Sequence, residues 1–233
     1  MEHVLSALSA ARLGGVVDLF DRGGPVAALL VALSVVALTI AVAKVCQFSI
    51  AGVGRHGRAR AAVRAFTSGD DAAAIATARR GGAISTRVVR HAIEAAETLR
   101  PDAARDSAES YAIARLHDLR RLNGLLDTIA QVSPLLGLFG TVLGMIEAFR
   151  ALEGAGANVD PSILAGGIWV ALLTTAIGLA VAMPASVLSA WFEGRVDNEQ
   201  IALDSLIAEI FNGLAPLPAR RAADAAGLTL AAG

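Results

Sequence analysis

Residues 161–192 read PSILAGGIWVALLTTAIGLAVAMPASVLSAWF, thirty-two consecutive positions without a charged side chain. As a helix, this run would be ~48 Å long, against about 30 Å for a hydrocarbon core. It therefore crosses a membrane and either tilts or projects past one face. Two earlier uncharged runs are long enough to do the same: 23–43, between Arg22 and Lys44, and 128–146, between Asp127 and Glu147. Composition agrees. Of 233 residues, 55% are hydrophobic and 18% charged, where soluble domains carry about 25% charged residues. The expected fold class is all-α: a polytopic membrane protein with three transmembrane helices, two of them extended into a cytoplasmic helical bundle.

Lys and Arg orient it. Residues 44–127 hold 14 of the 20, and Lys44, Arg120 and Arg121 lie beside span ends. The positive-inside rule places that segment and the C-terminal tail in the cytoplasm, and the N-terminus and the 147–160 loop outside. The expected organisation is 1–22 periplasmic, 23–48 first span, 49–127 cytoplasmic helical region and 128–149 second span. A short periplasmic loop, 150–161, leads to the third span, 162–192, and to a cytoplasmic helix with a flexible tail, 193–233. Glu2, Asp18 and Asp21 do not suit the basic start of a signal peptide, so the first span is expected to be a retained anchor. Residues 4–20 suit either a helix lying in the interface or a disordered terminus.

The charged segments carry helical periodicity. Ile113, Leu116, Leu119, Leu122, Leu126 and Ile129 recur at three- to four-residue intervals between charged positions, predicting one helix from about Asp102 to Phe149. Leu203, Leu206, Ile207, Ile210 and Leu214 form a second stripe, ended by Pro216 and Pro218. Shorter helices are predicted over Ala59–Phe66, Asp70–Arg79 and Ser85–Leu99, separated by Gly69 and Gly81–Gly82.

Several function classes find no support. A net charge of −1 gives no footprint for nucleic acid, and the lone Cys46 excludes an internal disulfide or a cysteine-built metal site. The four histidines show no ligand spacing, and no metal or cofactor is expected. Gly137-x-x-Gly140 lacks the Gly-Lys-Ser/Thr of a phosphate-binding loop, and no catalytic triad converges, which argues against an enzyme. Arg58, Arg60 and Arg64 are either ordinary solvated charges or contacts for anionic membrane lipid.

The second span reads SPLLGLFGTVLGMIEAF over 133–149. Ser133, Gly137, Thr141, Gly144 and Ala148 share one helical face, with Gly140 beside them. In the third span, Gly167, Ala171, Thr174, Thr175, Gly178, Ala182 and Ala185 make another strip. Small residues let helix backbones approach in lipid, so close packing accounts for the glycines. The mid-span hydroxyls of Thr141 and Thr175 can bond their own helices at i−4; with room around them they can also meet a carboxylate or a water file. No Asp, Glu, Lys, Arg or His lies inside any uncharged run. A proton pathway normally needs a titratable group, so a proton-using function requires one from another chain. Glu147, at the outer edge, is the nearest carboxylate and reads as solvated.

At these residues the chain resembles the MotA/TolQ/ExbB family of ion-driven motors, with the ExbB branch nearest. The resemblance lies in Ser133-Pro134-Leu135-Leu136-Gly137-Leu138-Phe139-Gly140-Thr141-Val142-Leu143-Gly144-Met145-Ile146. It continues through Gly166-Gly167-Ile168, Ala171-Leu172-Leu173-Thr174-Thr175-Ala176-Ile177-Gly178-Leu179 and Ala182-Met183-Pro184-Ala185. It implies an inner-membrane homopentamer whose second and third spans line a pore. That pore would hold an ExbD-like dimer, whose aspartate carries the proton and which passes work to a TonB-like protein opening outer-membrane receptors.

On this resemblance Thr141 and Thr175 match pore threonines, and Thr174 and Ser133 join them as candidate pore-lining residues. Gly137, Gly140, Gly144, Gly167, Gly178, Pro134 and Pro184 are helix-packing positions. Many ExbB and TolQ proteins have a glutamate where this chain has Val170, while MotA-like relatives manage without it. Two alternatives remain at this level: a TolQ- or MotA-like stator, and a non-conducting membrane scaffold.

Overall fold

A computed structural model describes residues 2–154 and 161–212, with the side chains of 2–23 and of Ile163 outside the description. Seven helices follow in order: α1 Glu2–Ala51, α2 Gly57–Thr67, α3 Asp71–Arg79, α4 Ile84–Thr98, α5 Pro101–Arg120, α6 Asn123–Gly154 and α7 Pro161–Asn212. The described residues contain no strand. Three candidate membrane-crossing stretches stand out by length and apolarity, within Gly24–Ala51, Pro101–Gly154 and Leu164–Asn212. The chain is an all-α polytopic membrane protein, as its uncharged runs predict.

Helix α1 is two helices in one run. Gly24 sits at φ 63°, ψ −164°, a conformation open to glycine at little cost, and Pro25 follows with its fixed φ and missing amide. A proline costs nothing at the first turn of a helix, so the first span starts here. Residues 4–20 are helical; the side chains on which an interfacial placement turns lie outside the description.

The chain divides into two compact units. The first comprises Met1–Ala43 and Leu122–Trp191, the second Lys44–Arg121 and Phe192–Gly233. In the first, α1 buries Val26, Ala27, Leu30, Ala37, Ile40 and Ala41, a single helical face. Leu38, Leu135, Leu172 and Val187 point outward, which in lipid carries no penalty.

The second unit has an alanine-rich core. Helix α5 buries Ala104, Ala108, Ala112, Leu116 and Leu119, and α4 buries Val88, Val89, Ala92 and Ile93. From α7 come Phe192, Val196, Leu203, Leu206, Ile207 and Ile210, so the predicted stripe is buried; Leu214 lies outside the described residues. Helices α2, α3 and α4 fall within one or two residues of their predicted bounds. Gly69, at φ +88°, turns the chain, and Asp70 then caps α3 by accepting the Ala73 amide at 2.9 Å. His91 stacks on Tyr111 with ring centroids 4.4 Å apart and shares a 3.1 Å hydrogen bond with the Ser107 hydroxyl.

One expectation is corrected. The single helix predicted from Asp102 to Phe149 is two, α5 and α6, parted at Arg121-Leu122. Arg121 keeps right-handed helical angles, φ −51° and ψ −34°, so the hydrogen-bond ladder is interrupted while the backbone stays near the helical region. Side-chain periodicity continues through such a break, which is why the sequence does not show it.

Candidate functional site

The small-residue strips of α6 and α7 face one another. A Cβ on Gly178 would lie 2.6 Å from the Ser133 carbonyl oxygen and 3.1 Å from the Gly137 Cα. On Gly137 it would lie 3.0 Å from the Thr174 carbonyl oxygen and from the Thr175 Cα. On Gly144 it would touch Ala171, and on Gly167 it would run into Ala148. As α6 ascends from Ser133 to Ala148, its partner on α7 descends from Gly178 to Gly167. The two helices are therefore antiparallel with their backbones in contact, and glycine is what permits the approach. Gly140 is enclosed from both sides, since its Cβ would meet the Thr174 hydroxyl and Val26 of α1. All five predicted packing glycines line this seam. Pro134 and Pro184 sit inside α6 and α7, where each removes one backbone donor.

The four predicted hydroxyls separate into two pairs. Ser133 is fully buried and donates to the Ile129 carbonyl at 2.7 Å; Thr174, 2% exposed, donates to the Ala171 carbonyl at 2.7 Å and lies 3.4 Å from the Gly137 carbonyl. Both are sealed within the seam of one chain. Thr141 and Thr175 are half-buried. Thr141 donates to the Leu138 carbonyl at 2.6 Å, three residues back where four was expected. Thr175 reaches across to the Gly137 carbonyl at 3.1 Å. Glycine at 137 leaves that carbonyl open to a neighbouring helix, which explains why Thr175 bonds α6 and not its own helix.

Val170 lines a hollow of about 380 Å³ with Thr174, Gly140, Glu147, Arg150 and the Gly24-Pro25 kink. Glu147 is exposed and reaches the same hollow as Val170. Arg150 and the kink were not singled out from sequence. Positive φ at Gly24 is invisible there, although a Gly-Pro pair at the start of a span hints at it. Among the described residues no group of His, Cys, Asp and Glu could hold a metal ion.

A family model described as the MotA/TolQ/ExbB proton channel family matches residues 81–205, more than half of the chain. The chain belongs to this family. Its seam, from Ser133 to Ala148 and from Gly167 to Gly178, lies within the matched residues. A biopolymer transport protein ExbB homolog of Methanothermobacter thermautotrophicus is 46% identical over 94 residues, 40% of this chain and 33% of that protein. The biopolymer transport protein exbB1 of Vibrio cholerae is 41% identical over 90 residues, 37% of this chain and 40% of its own length. The Tol-Pal system protein TolQ of Haemophilus influenzae is 53% identical over 60 residues, 26% of each. The matched stretch spans less than half the length of each of these relatives.

Proposed function

We propose that this MotA/TolQ/ExbB-family chain is an energy-transducing channel subunit of a bacterial inner membrane, driven by the proton-motive force. It assembles as a homopentamer around an ExbD-like dimer and powers TonB-dependent transport through the outer membrane. The observation that carries the reading is the division of the mid-span hydroxyls. Ser133 and Thr174 are consumed inside the chain, whereas Thr141 and Thr175 keep part of their surface open. The uncharged runs 23–43, 128–146 and 161–192 supply no Asp, Glu, Lys, Arg or His. A proton crossing them needs a carboxylate from another chain, and a partly open threonine hydroxyl can donate to one or orient a water beside it. Val170 leaves this chain without an acid of its own at the position where relatives carry one. Proton carriage therefore falls to the partner's aspartate. By the distribution of Lys and Arg, the N-terminus is periplasmic and the second unit cytoplasmic.

The test is proton flux in liposomes holding both chains, with Thr141→Val and Thr175→Val compared with wild type. A hydrogen bond to a charged group contributes about 1.5–3 kcal/mol, so flux should fall by roughly 10-fold or more in either variant. Unchanged flux with both variants stably inserted would sink the proposal, and absence of flux in the wild type would favour a non-conducting scaffold. The similarity to TolQ supports a second reading, a Tol-type or MotA-like stator. A partner gene encoding a long periplasmic peptidoglycan-binding domain would favour it.

A further inference from the structure

We propose that the hollow beside Glu147 seats an aminophospholipid, a lipid whose headgroup carries both a primary ammonium and a phosphate. The inference does not rest on ion conduction. The hollow, of about 380 Å³, lies wholly within the first unit. Its walls come from the Gly24-Pro25 kink of α1, from α6 between Gly140 and Arg150, and from Val170 of α7. Leu143 and Ile146 make an apolar side and are 39% and 45% exposed, so a ligand can reach them. At the kink, Gly24 has nothing within 4 Å of where a Cβ would stand, and the rim there is open. Glu147 is the first charged residue after the uncharged run 128–146, and Pro25 lies just inside the start of the run 23–43. Both positions fall where apolar spans give way to charge, which is the depth of lipid headgroups.

The charges at the rim point to the class of ligand. Glu147 and Arg150 are both exposed and both line the hollow. Three residues apart, they are neighbours on one side of α6, a spacing at which opposite charges can pair. Here neither makes an ion pair or a hydrogen bond among the described residues. A free carboxylate and a free guanidinium therefore open on one volume. An anion alone would be repelled by Glu147, and a cation alone by Arg150. An aminophospholipid headgroup carries both signs: its ammonium donates to the Glu147 carboxylate, and its phosphate accepts from the forked donors of Arg150. A choline headgroup has the same two charges but no N–H to donate, so Glu147 discriminates against it. The acyl chains lie along Leu143 and Ile146, apolar surface that rests against lipid without penalty.

The experiment places the full chain in nanodiscs of phosphatidylethanolamine, phosphatidylcholine and phosphatidylglycerol in equal parts. Native mass spectrometry then counts the lipids that the protein retains on release. Wild type should retain phosphatidylethanolamine in preference to the other two. Glu147→Gln should cut its preference over phosphatidylcholine by roughly 10-fold, because the hydrogen bond lost joins two charged groups. Arg150→Gln should lower retention of phosphatidylethanolamine by roughly 10-fold through loss of the phosphate contact. Glu153→Gln, exposed on α6 and outside the hollow, should change neither quantity. All three variants alter exposed side chains, so misfolding does not obscure the comparison. Both effects, with Glu153→Gln unchanged, support the proposal, and the absence of either overturns it. Equal retention of the three lipids by wild type also overturns it. So does a preference for phosphatidylglycerol, which would make the hollow an anion site. Wild type that retains no lipid sinks it too and leaves the hollow to a protein neighbour.

Discussion

At the scale of single residues, two glycines a dozen positions apart on α7 should behave in opposite ways. Gly178 faces backbone, with the Ser133 carbonyl 2.6 Å from where a Cβ would stand, and backbone cannot step aside as a flexible side chain can. Gly178→Ala should therefore force α6 and α7 apart, cost about 1–3 kcal/mol and lower the melting temperature in detergent. Gly166 has nothing within 4 Å of that position, so Gly166→Ala should be neutral or slightly stabilising. Equal melting temperatures for the two variants would contradict the seam. Sequence placed Thr174 and Thr175 in one strip because both are small and adjacent. Neighbouring helical residues point about 100° apart, so only the position of α6 decides that Thr174 is enclosed and Thr175 half-open.

At the scale of elements, the ends of helices hold what periodicity could not reveal. Lys44 reads in sequence as a marker of membrane orientation. In the second unit it is fully buried, donates to the Leu119 carbonyl in the last turn of α5, and lies 5.0 Å from the Phe48 ring and 6.0 Å from that of Phe192. A cation belongs at a helix C-terminus, where unpaired carbonyls accumulate.

Glu199, beyond the uncharged part of α7, is 1% exposed; its carboxylate accepts the Gly54 amide and lies 3.6 Å from His56 Nε2. Burial raises its pKa above the ordinary 4.5, with the Gly54 amide and His56 pulling the other way. The folded state then holds that proton more tightly than the unfolded state. Its stabilising contribution is complete below the unfolded value and is lost as pH rises through the folded one. As pH rises above the ordinary carboxylate range, wild type should therefore lose thermal stability more steeply than Glu199→Gln, measured by helix melting. Identical slopes would assign the dependence to other groups.

At the scale of the whole molecule, each chain of 23.8 kDa presents an apolar exterior in its first unit, including Leu138, Phe139, Trp169 and Leu172. Such faces are at ease in lipid and do not demand a protein partner. Assembly must therefore be measured. Native mass spectrometry of the complex should show five copies, and a number far from five would undo the proposed pore.

By itself the sequence determined that the protein is helical, that it crosses a membrane three times, and that small residues line two of the spans. Those conclusions follow from where charge is absent and from the period at which apolar residues recur. Both are local properties, set by the insolubility of charge in hydrocarbon and by the pitch of the helix. Tertiary structure alone decided the sealing of Ser133 and Thr174 and the capping role of Lys44. Each depends on which backbone stands opposite a side chain, and residues 37 to 75 positions apart in the chain meet only when the helices pack.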